Sequence, residues 1–419
     1  MANHYDIIVA GGGFAGAAAA ISAARLGRQV LLFDKSNCLG GAAVNNLVTP
    51  FMPNRTKVNG ETKRLSGGIF EEIEKKLKEF QIFTKEREVS FNEEHLKIIL
   101  NRMALEAGVT LLYHATLCEV SCDGEKVNGV TLVTKSGNLS FTADYFIDAT
   151  GDADLAYRAG CSLRLGREQD SLCQPMTLCF RLSNVDVDAY YEERPAIIEL
   201  YRKYQAEGKI LNPRENVLAF KVPHRNVLHL NSTRIVRRNP VDPFDVTQAE
   251  IEAREQVLEL YLFLKENFRA FENAELLSTA LEIGVRESRM LNGRHLLTGK
   301  ELLACARFED SIACGNYDID IHNPEGTGTS HHYFPEGEYY EIPYSSMLPL
   351  EFSNLLVTGR CISADHEAQA SIRIMPIVCC LGEAAGVGAA VASEAGCSVA
   401  DADIKEIQRI LEENGAVIH

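Results

Sequence analysis

Apolar runs and apolar stripes divide the chain into two styles. Residues 5–10 and 29–33 are short runs rich in Ile, Val and Leu, the signature of strands buried on both faces. An alanine-rich stretch of helical character separates them. Ile69, Phe70, Ile73, Leu77 and Phe80 then keep the spacing of one helix face. Asn92 is placed to cap a further helix with His95, Leu96, Ile99, Leu100, Met103 and Leu105 on or beside its buried side, ending at Gly108. Residues 109–113 predict a strand, and 117–121, 127–134 and 139–142 predict an antiparallel meander, with turns at Asp123-Gly124 and Ser136-Gly137-Asn138. The apolar strand 145–148 stops in a small-residue turn, Ala149-Thr150-Gly151-Asp152, before a short helix. From about residue 160 to 350 the pattern changes to longer amphipathic segments: 186–206 and 247–268 predict helices and 216–230 paired strands. The opening style returns at 354–360, a strand ending in Gly359-Arg360. Met375-Pro376 then begins a helix of small residues reaching about Ala392, and 401–414 predict a last amphipathic helix. No repeat of 20 to 50 residues is visible.

The junction of the first strand and helix reads Gly11-Gly12-Gly13-Phe14-Ala15-Gly16. In such a turn Gly11 suits the sharp reversal, Gly13 lets backbone N–H groups approach a pyrophosphate, and Gly16 lets helix and strand pack closely. The diphosphate would sit on the positive end of the helix. Asp34 closes the second strand 21 residues past Gly13, where a carboxylate can accept from a ribose diol. Beyond Lys35, the pair Gly40-Gly41 would permit another close approach of backbone to ligand. Strand, turn, helix and acid together predict a dinucleotide site.

At 419 residues the chain exceeds what one core usually serves, so two domains, or one with a large insertion, are expected. A formal charge of -16 argues against a nucleic-acid partner, because contact with a phosphate backbone would add repulsion. The twelve cysteines are scattered without CxxC or metal spacing, as buried thiols in a reducing compartment are. The first strand begins near residue 5, and the longest apolar candidate, 374–392, contains Glu383 and several glycines. A cytoplasmic, soluble protein without a membrane partner is therefore expected.

The Gly11 to Gly16 turn with Asp34, the Asp148-Ala149-Thr150-Gly151-Asp152 turn, and Gly359-Arg360 with the small-residue helix together resemble the FAD-binding domain of the glutathione-reductase-like flavoproteins. More narrowly, Arg286-Glu287-Ser288-Arg289, Tyr317 to His322, Ile342-Pro343-Tyr344, Gly359 to Ala368 and Arg373 to Pro376 resemble the FAD-dependent oxidoreductase family often found in bacterial carbohydrate-degradation gene sets. The resemblance spans nearly the whole chain. It implies an α/β fold: a Rossmann-like FAD-binding domain of parallel sheet plus antiparallel meander, from 1–159 and 351–396, with a large α+β substrate or cap insertion, 160–350, and a C-terminal helix, 397–419. It further implies that Gly11, Gly13 and Gly16 face the pyrophosphate, Asp34 the adenosine ribose, and Leu117, through its backbone, the adenine, with Phe14, Ala15 and Lys35 also binding the cofactor. Gly40, Gly41, Ala149, Thr150, Gly151 and Asp152 would pass close to the dinucleotide, and Gly359 and Arg360 along its diphosphate and ribityl region. The helix starting at Ile374-Met375 would aim its positive end at the flavin, where negative charge develops on reduction. Related proteins carry Glu where this chain has Asp34. Cys38 stands near Gly40-Gly41, where the relatives with covalent flavin have histidine, so non-covalent FAD is expected. Cys38 also lacks the second cysteine of the disulfide reductases.

A flavin that takes hydride at N5 needs a partner for the proton on the adjoining O–H or N–H. His366, between the 354–360 strand and the small-residue helix, and His322 and Tyr344, late in the insertion, are the candidates; each histidine could instead be a loop residue satisfied by neighbouring carboxylates. Arg373 could anchor an anionic or hydroxyl-rich substrate, offset the charge of reduced flavin, or form a plain salt bridge. Arg286 and Arg289 would share a helix face, most simply in an ion-pair network tying insertion to FAD domain. His331-His332 lacks the flanking acids or cysteines of a closed metal site, and no metal is expected. The leading expectation is an FAD-dependent oxidoreductase acting on a small polar metabolite, a sugar or sugar derivative by family association, with an unidentified electron acceptor or donor. The alternatives are an enoate or dicarboxylate reductase and a flavin-binding scaffold or sensor without turnover.

Overall fold

The computed structural model describes residues 3–80 and 90–419. A seven-stranded sheet organises the first part. Its parallel portion runs Thr110–Leu112, β2 (Val30–Phe33), β1 (His4–Ala10), the long strand Gly137–Asp148 and Leu355–Val357. Thr116–Asp123 and Lys126–Thr134 add the antiparallel meander. The expected strands 139–142 and 145–148 are one strand: its first half pairs with the meander and its second half lies between β1 and Leu355–Val357. Nothing between Thr142 and Tyr145 breaks it, since Ala143 and Asp144 carry no turn signal.

Register fixes where the site must be. Phe33 and Asp148 both pair with Ala10, and Val357 pairs with Asp148, so these strands end level. The loops that follow them, beginning at Gly11, Asp34, Ala149 and Thr358, therefore leave from one edge, the carboxyl edge at which open α/β sheets hold ligands.

One sheet face packs Ile7, Val9, Leu32 and Ile147 under α1 (Phe14–Arg25) and the helix Met375–Ala395, which we call the core helix. The other packs Ile8, Leu31, Phe146 and Leu355 against meander residues such as Val130 and Leu132. Small side chains let α1 and the core helix touch along their backbones. A Cβ at Gly382 would lie 2.0 Å from the Ala15 carbonyl oxygen, and one at Gly386 would lie 2.2 Å from that of Ala19. The two contacts advance together along both helices, so the helices run parallel. The Ser22 hydroxyl donates across the seam to the Glu383 carbonyl at 3.1 Å. By length and composition the core helix could cross a membrane, yet 94% of its most apolar stretch is buried inside the protein.

A second core lies apart from the first. It joins the four-stranded antiparallel sheet Ala219–Lys221, Leu228–Leu230, Phe180–Ser183, Glu275–Thr279 to the helices Val187–Ala206 and Pro243–Asn267. Arg181 ties this cap to the helix Glu93–Glu106 through a buried two-armed ion pair with Glu93, one arm 2.8 Å long. The packing does not divide at 160, 350 and 396. Leu297, Ile312, Tyr340 and Met347 belong to the same core as α1, and so do Ile407, Leu411 and Ile418.

Two outcomes follow from the seam. Gly386→Val drives a branched side chain into the α1 backbone and is expected to destabilise the protein by roughly 3 kcal/mol or more in thermal or urea unfolding. Glu383 is buried in the core helix, with the Ile69 N–H donating to its carboxylate at 2.9 Å. Burial pushes its pKa up to about 7, against the opposing pull of that N–H and of Arg25. The folded state thus holds this proton more tightly than the unfolded chain, so the stability it contributes is full below about pH 4.5 and falls as pH rises to about 7. Glu383→Gln is expected to flatten that stretch of the stability curve and to raise stability above pH 7 by roughly 1–3 kcal/mol.

Candidate active site

The loops at the carboxyl edge enclose a groove of about 600 Å³. Gly11, at φ +95°, turns the chain out of β1; a Cβ there would meet the Ala149 carbonyl oxygen at 2.6 Å. Gly13, at φ −66°, faces open space, the nearest atom to a Cβ being Gly41 Cα at 3.9 Å. The absent side chain at Gly13 is therefore room kept for something else. Gly40 donates its N–H to the Gly12 carbonyl at 2.8 Å and, with Gly41, lays a second stretch of bare backbone beside the first. Asp34 accepts from the N–H groups of Gly12 and Ser36, and a carboxylate with four acceptor sites still has capacity for a diol.

The turn after the long strand is held from below. Asp148 is fully buried; one oxygen accepts from the Thr150 N–H and hydroxyl and the other from the Ala156 N–H at 2.8 Å. Burial raises its pKa in spite of these donors. Asp152 accepts from the Ser288 hydroxyl at 2.6 Å and from Arg360 at 2.7 Å, and Arg360 also donates to Ser288 at 2.8 Å. Burial opposes ionisation of Asp152, but Arg360 and Ser288 outweigh it and hold the carboxylate below its usual range. Arg289 pairs with Asp154 next door.

The groove is lined by Gly11, Gly13, Phe14, Ala15, Asp34, Lys35, Gly40, Gly41, Leu117 and Ala149 to Asp152, then by Gly359, Arg360, Arg373 and Met375. Several expected roles change. Gly16 is buried against the Gly11 carbonyl oxygen, 1.8 Å from where its Cβ would be, so it serves strand–helix packing and does not face a pyrophosphate. Ile374 buries its side chain and contributes only backbone at the start of the core helix. Arg360 lines the groove, but Asp152 and Ser288 already occupy its guanidinium. Tyr344 is a core residue: its hydroxyl donates to the Val399 carbonyl at 3.0 Å, and its ring fills the space beside Gly388. Arg286 and Arg289 share no helix face. Arg289 begins the strand Arg289–Leu291 and turns to Asp154, while Arg286 donates to the Pro175 carbonyl and the Thr177 hydroxyl.

Neither candidate histidine lines the groove. Arg234 can only donate, so Nδ1 of His322, 3.0 Å from its Nη2, is the accepting nitrogen and Nε2 carries the proton toward Asp320 at 3.3 Å. Burial, then Arg286, lowers the His322 pKa well below 6.5 against the pull of Asp320. With both nitrogens engaged, His322 is not a free base. It braces Asp320, which also accepts from Tyr317 and faces Arg373 at 3.5 Å. His366 begins the helix His366–Ile372 and sets Nδ1 2.8 Å from the fully buried Glu287. The carboxylate that satisfies it comes from the Arg286 to Arg289 segment rather than from neighbouring Asp365 or Glu367. His331 pairs with Asp318 on an exposed strand. Among the described residues no cluster of His, Cys, Asp or Glu could hold a metal ion.

A bare-backbone cradle, an acid at the second strand end and two helix N-termini facing one groove define a Rossmann-like dinucleotide-binding protein of the flavoprotein kind. The chain belongs to the FAD dependent oxidoreductase family, whose model matches residues 6–411. It is an enzyme, and its cofactor is FAD. The groove fits that cofactor: Gly13 keeps space open in it, and Asp34 and Leu117 line the same groove. No curated protein matches the chain. Solved structures similar to it include a geranylgeranyl bacteriochlorophyll reductase-like protein from Thermoplasma acidophilum, 13% identical over 98% of this chain and 83% of that one, with a TM-score of 0.49. A flavin-dependent brominase is 13% identical over 98% and 84%, at 0.47. A p-nitrophenol 4-monooxygenase from Pseudomonas putida is 11% identical over 99% and 84%, at 0.46. The reactions in those names belong to those proteins.

Because Gly13 has an ordinary φ and open space, Gly13→Val is expected to melt within about 1 kcal/mol of the native protein yet be purified without flavin absorbance. A large loss of stability would show that the position is structural.

Proposed function

We propose that the enzyme exchanges hydride between FAD and a small polar metabolite held where the cap meets the start of the core helix, with His366, outside the groove lining, taking or returning the proton through a bridging water. The course of the groove supports this reading. Its lining joins Asp34, Leu117 and the glycine turn to Arg373, Met375 and Val378 and to Val285 of the cap segment. Bound FAD supplies a two-electron hydride acceptor at N5. The positive end of the core helix and Arg373 would stabilise the negative charge that reduction places on the pyrimidine end of the ring. Nδ1 of His366 lies 2.8 Å from Glu287, which orients the ring and leaves Nε2 as the nitrogen that would exchange the proton, the arrangement of a carboxylate-oriented base. Cys38 is buried and lies outside the groove lining, which supports a non-covalent flavin. No side chain at the far end singles out a sugar.

Anaerobic photoreduction of the FAD-loaded protein, followed by a panel of hydroxy acids, enoates and sugar derivatives, tests the reading. At least one member is expected to reoxidise the flavin, or in the reverse experiment to reduce it, and a response from none would oppose turnover. His366→Gln is expected to keep the flavin content and slow that step by about a hundredfold. An unchanged rate would remove His366 from the proton path.

A further inference from the structure

Behind Arg373 the cap holds a group of charges that the cofactor does not account for. Arg214 is 5% exposed, and its Nε and Nη1 are buried without a hydrogen-bond partner among the described residues. It forms no ion pair there either. Arg286 donates only to neutral acceptors, the Pro175 carbonyl and the Thr177 hydroxyl. Arg373 leaves Nε buried and unpartnered while Nη2 reaches Asp320 at 3.5 Å. Arg234 is the satisfied member, bonded to the carbonyls of Gly326 and Gly328, to Thr329 and to His322, with Glu215 at 3.4 Å.

These groups sense one another. Burial lowers the Arg286 pKa to about 9, and Arg373 and Arg214 push it the same way while Asp320 opposes. Burial lowers that of Arg214, against the pull of Glu215 and Asp320. Four guanidinium groups thus face two carboxylates, Asp320 and Glu215, with His322 neutral between them. Two positive charges remain uncompensated in a space with little water, an arrangement that is costly unless an anion joins it. Of this cluster only Arg373 lines the groove, together with the glycine turn that would receive the diphosphate.

We propose that Arg214, Arg286 and Arg373 form an oxyanion subsite that holds the carboxylate or phosphate group of the substrate beside the flavin end of the groove. This rests on the reading above, that a metabolite meets the flavin at Arg373. The substrate is then an acid or a phosphate ester, not a neutral sugar. Guanidinium groups suit either oxyanion, because their planar fork donates two parallel hydrogen bonds. Asp320, braced by His322 and Tyr317, orients Arg373 and is a positioning residue.

The FAD-loaded full chain, titrated separately with malonate, with inorganic phosphate and with uncharged malonamide, gives the test, read by the flavin absorption spectrum and by thermal melting. Malonate or phosphate is expected to perturb the flavin bands saturably and raise the melting temperature, and which of them does so identifies the oxyanion; malonamide is expected to do neither. Arg214→Met is expected to keep FAD and, without anion, to melt no lower than the native protein, because it removes an unpaired buried charge. It should weaken the anion by about tenfold or more. Arg286→Lys, which keeps charge but loses the fork, should weaken it comparably and serves if the first variant does not fold. Binding of neither anion, equal binding of malonamide, or unchanged affinity in both variants would overturn the subsite. Failure of the underlying reading looks different: the anion would still raise the melting temperature, but the flavin bands would not respond.

Discussion

The backbone-to-backbone seam between α1 and the core helix is the contact on which the rest depends. Gly382 lies seven residues into the core helix and meets Ala15, which lies one residue into α1, so the core helix begins six residues, or roughly 9 Å, ahead. Two positive helix ends thus point the same way, one at the glycine turn and one farther along the groove. Side-by-side parallel dipoles repel, and the close packing of small side chains holds them there. The same offset gives the groove two separate positive ends, one at Phe14 and Ala15 and one at Met375.

Charge is distributed unequally along this frame. Around the Asp152 turn the charges are paired: Arg360 with Asp152, Arg289 with Asp154, and Ser288 bridging Asp152 and Arg360. These pairs also fasten the cap segment to the cradle, which sets the width of the groove. Near the start of the core helix the charges are not balanced, with Arg214 unpaired among the described residues and Arg373 half paired. Balanced charges make rigid walls, whereas unbalanced ones discriminate among visitors.

What could be read from the chain follows how local each feature is. The glycine turn, Asp34 and the second glycine pair are fixed by backbone geometry within a few residues, and spacing alone placed them on one groove. Helix ends were legible for the same reason: Asn92 caps its helix with its own side chain. The fused strand was missed because Ser136-Gly137-Asn138 marked its start, while its continuation past Thr142 depends on β1 and the meander as neighbours. Tyr344 could not be placed because its neighbour Gly388 is distant in sequence. His366 and His322 were visible as candidates, but their partners Glu287 and Arg234 are set by folding alone. Arg214 and Arg234 lay in stretches with no motif at all. Nothing short of three dimensions brings four arginines around two acids.

The seam also orders events during synthesis. The first strand and the glycine turn lie within the first 16 residues, but the surface that backs the helix after them is Gly382 to Gly386 of the same chain. A ribosome must therefore translate nearly the entire message before a complete binding cleft can exist, and the nascent amino-terminal half meets the coenzyme with only half a grip. A complete binding cleft thus belongs to the finished polypeptide.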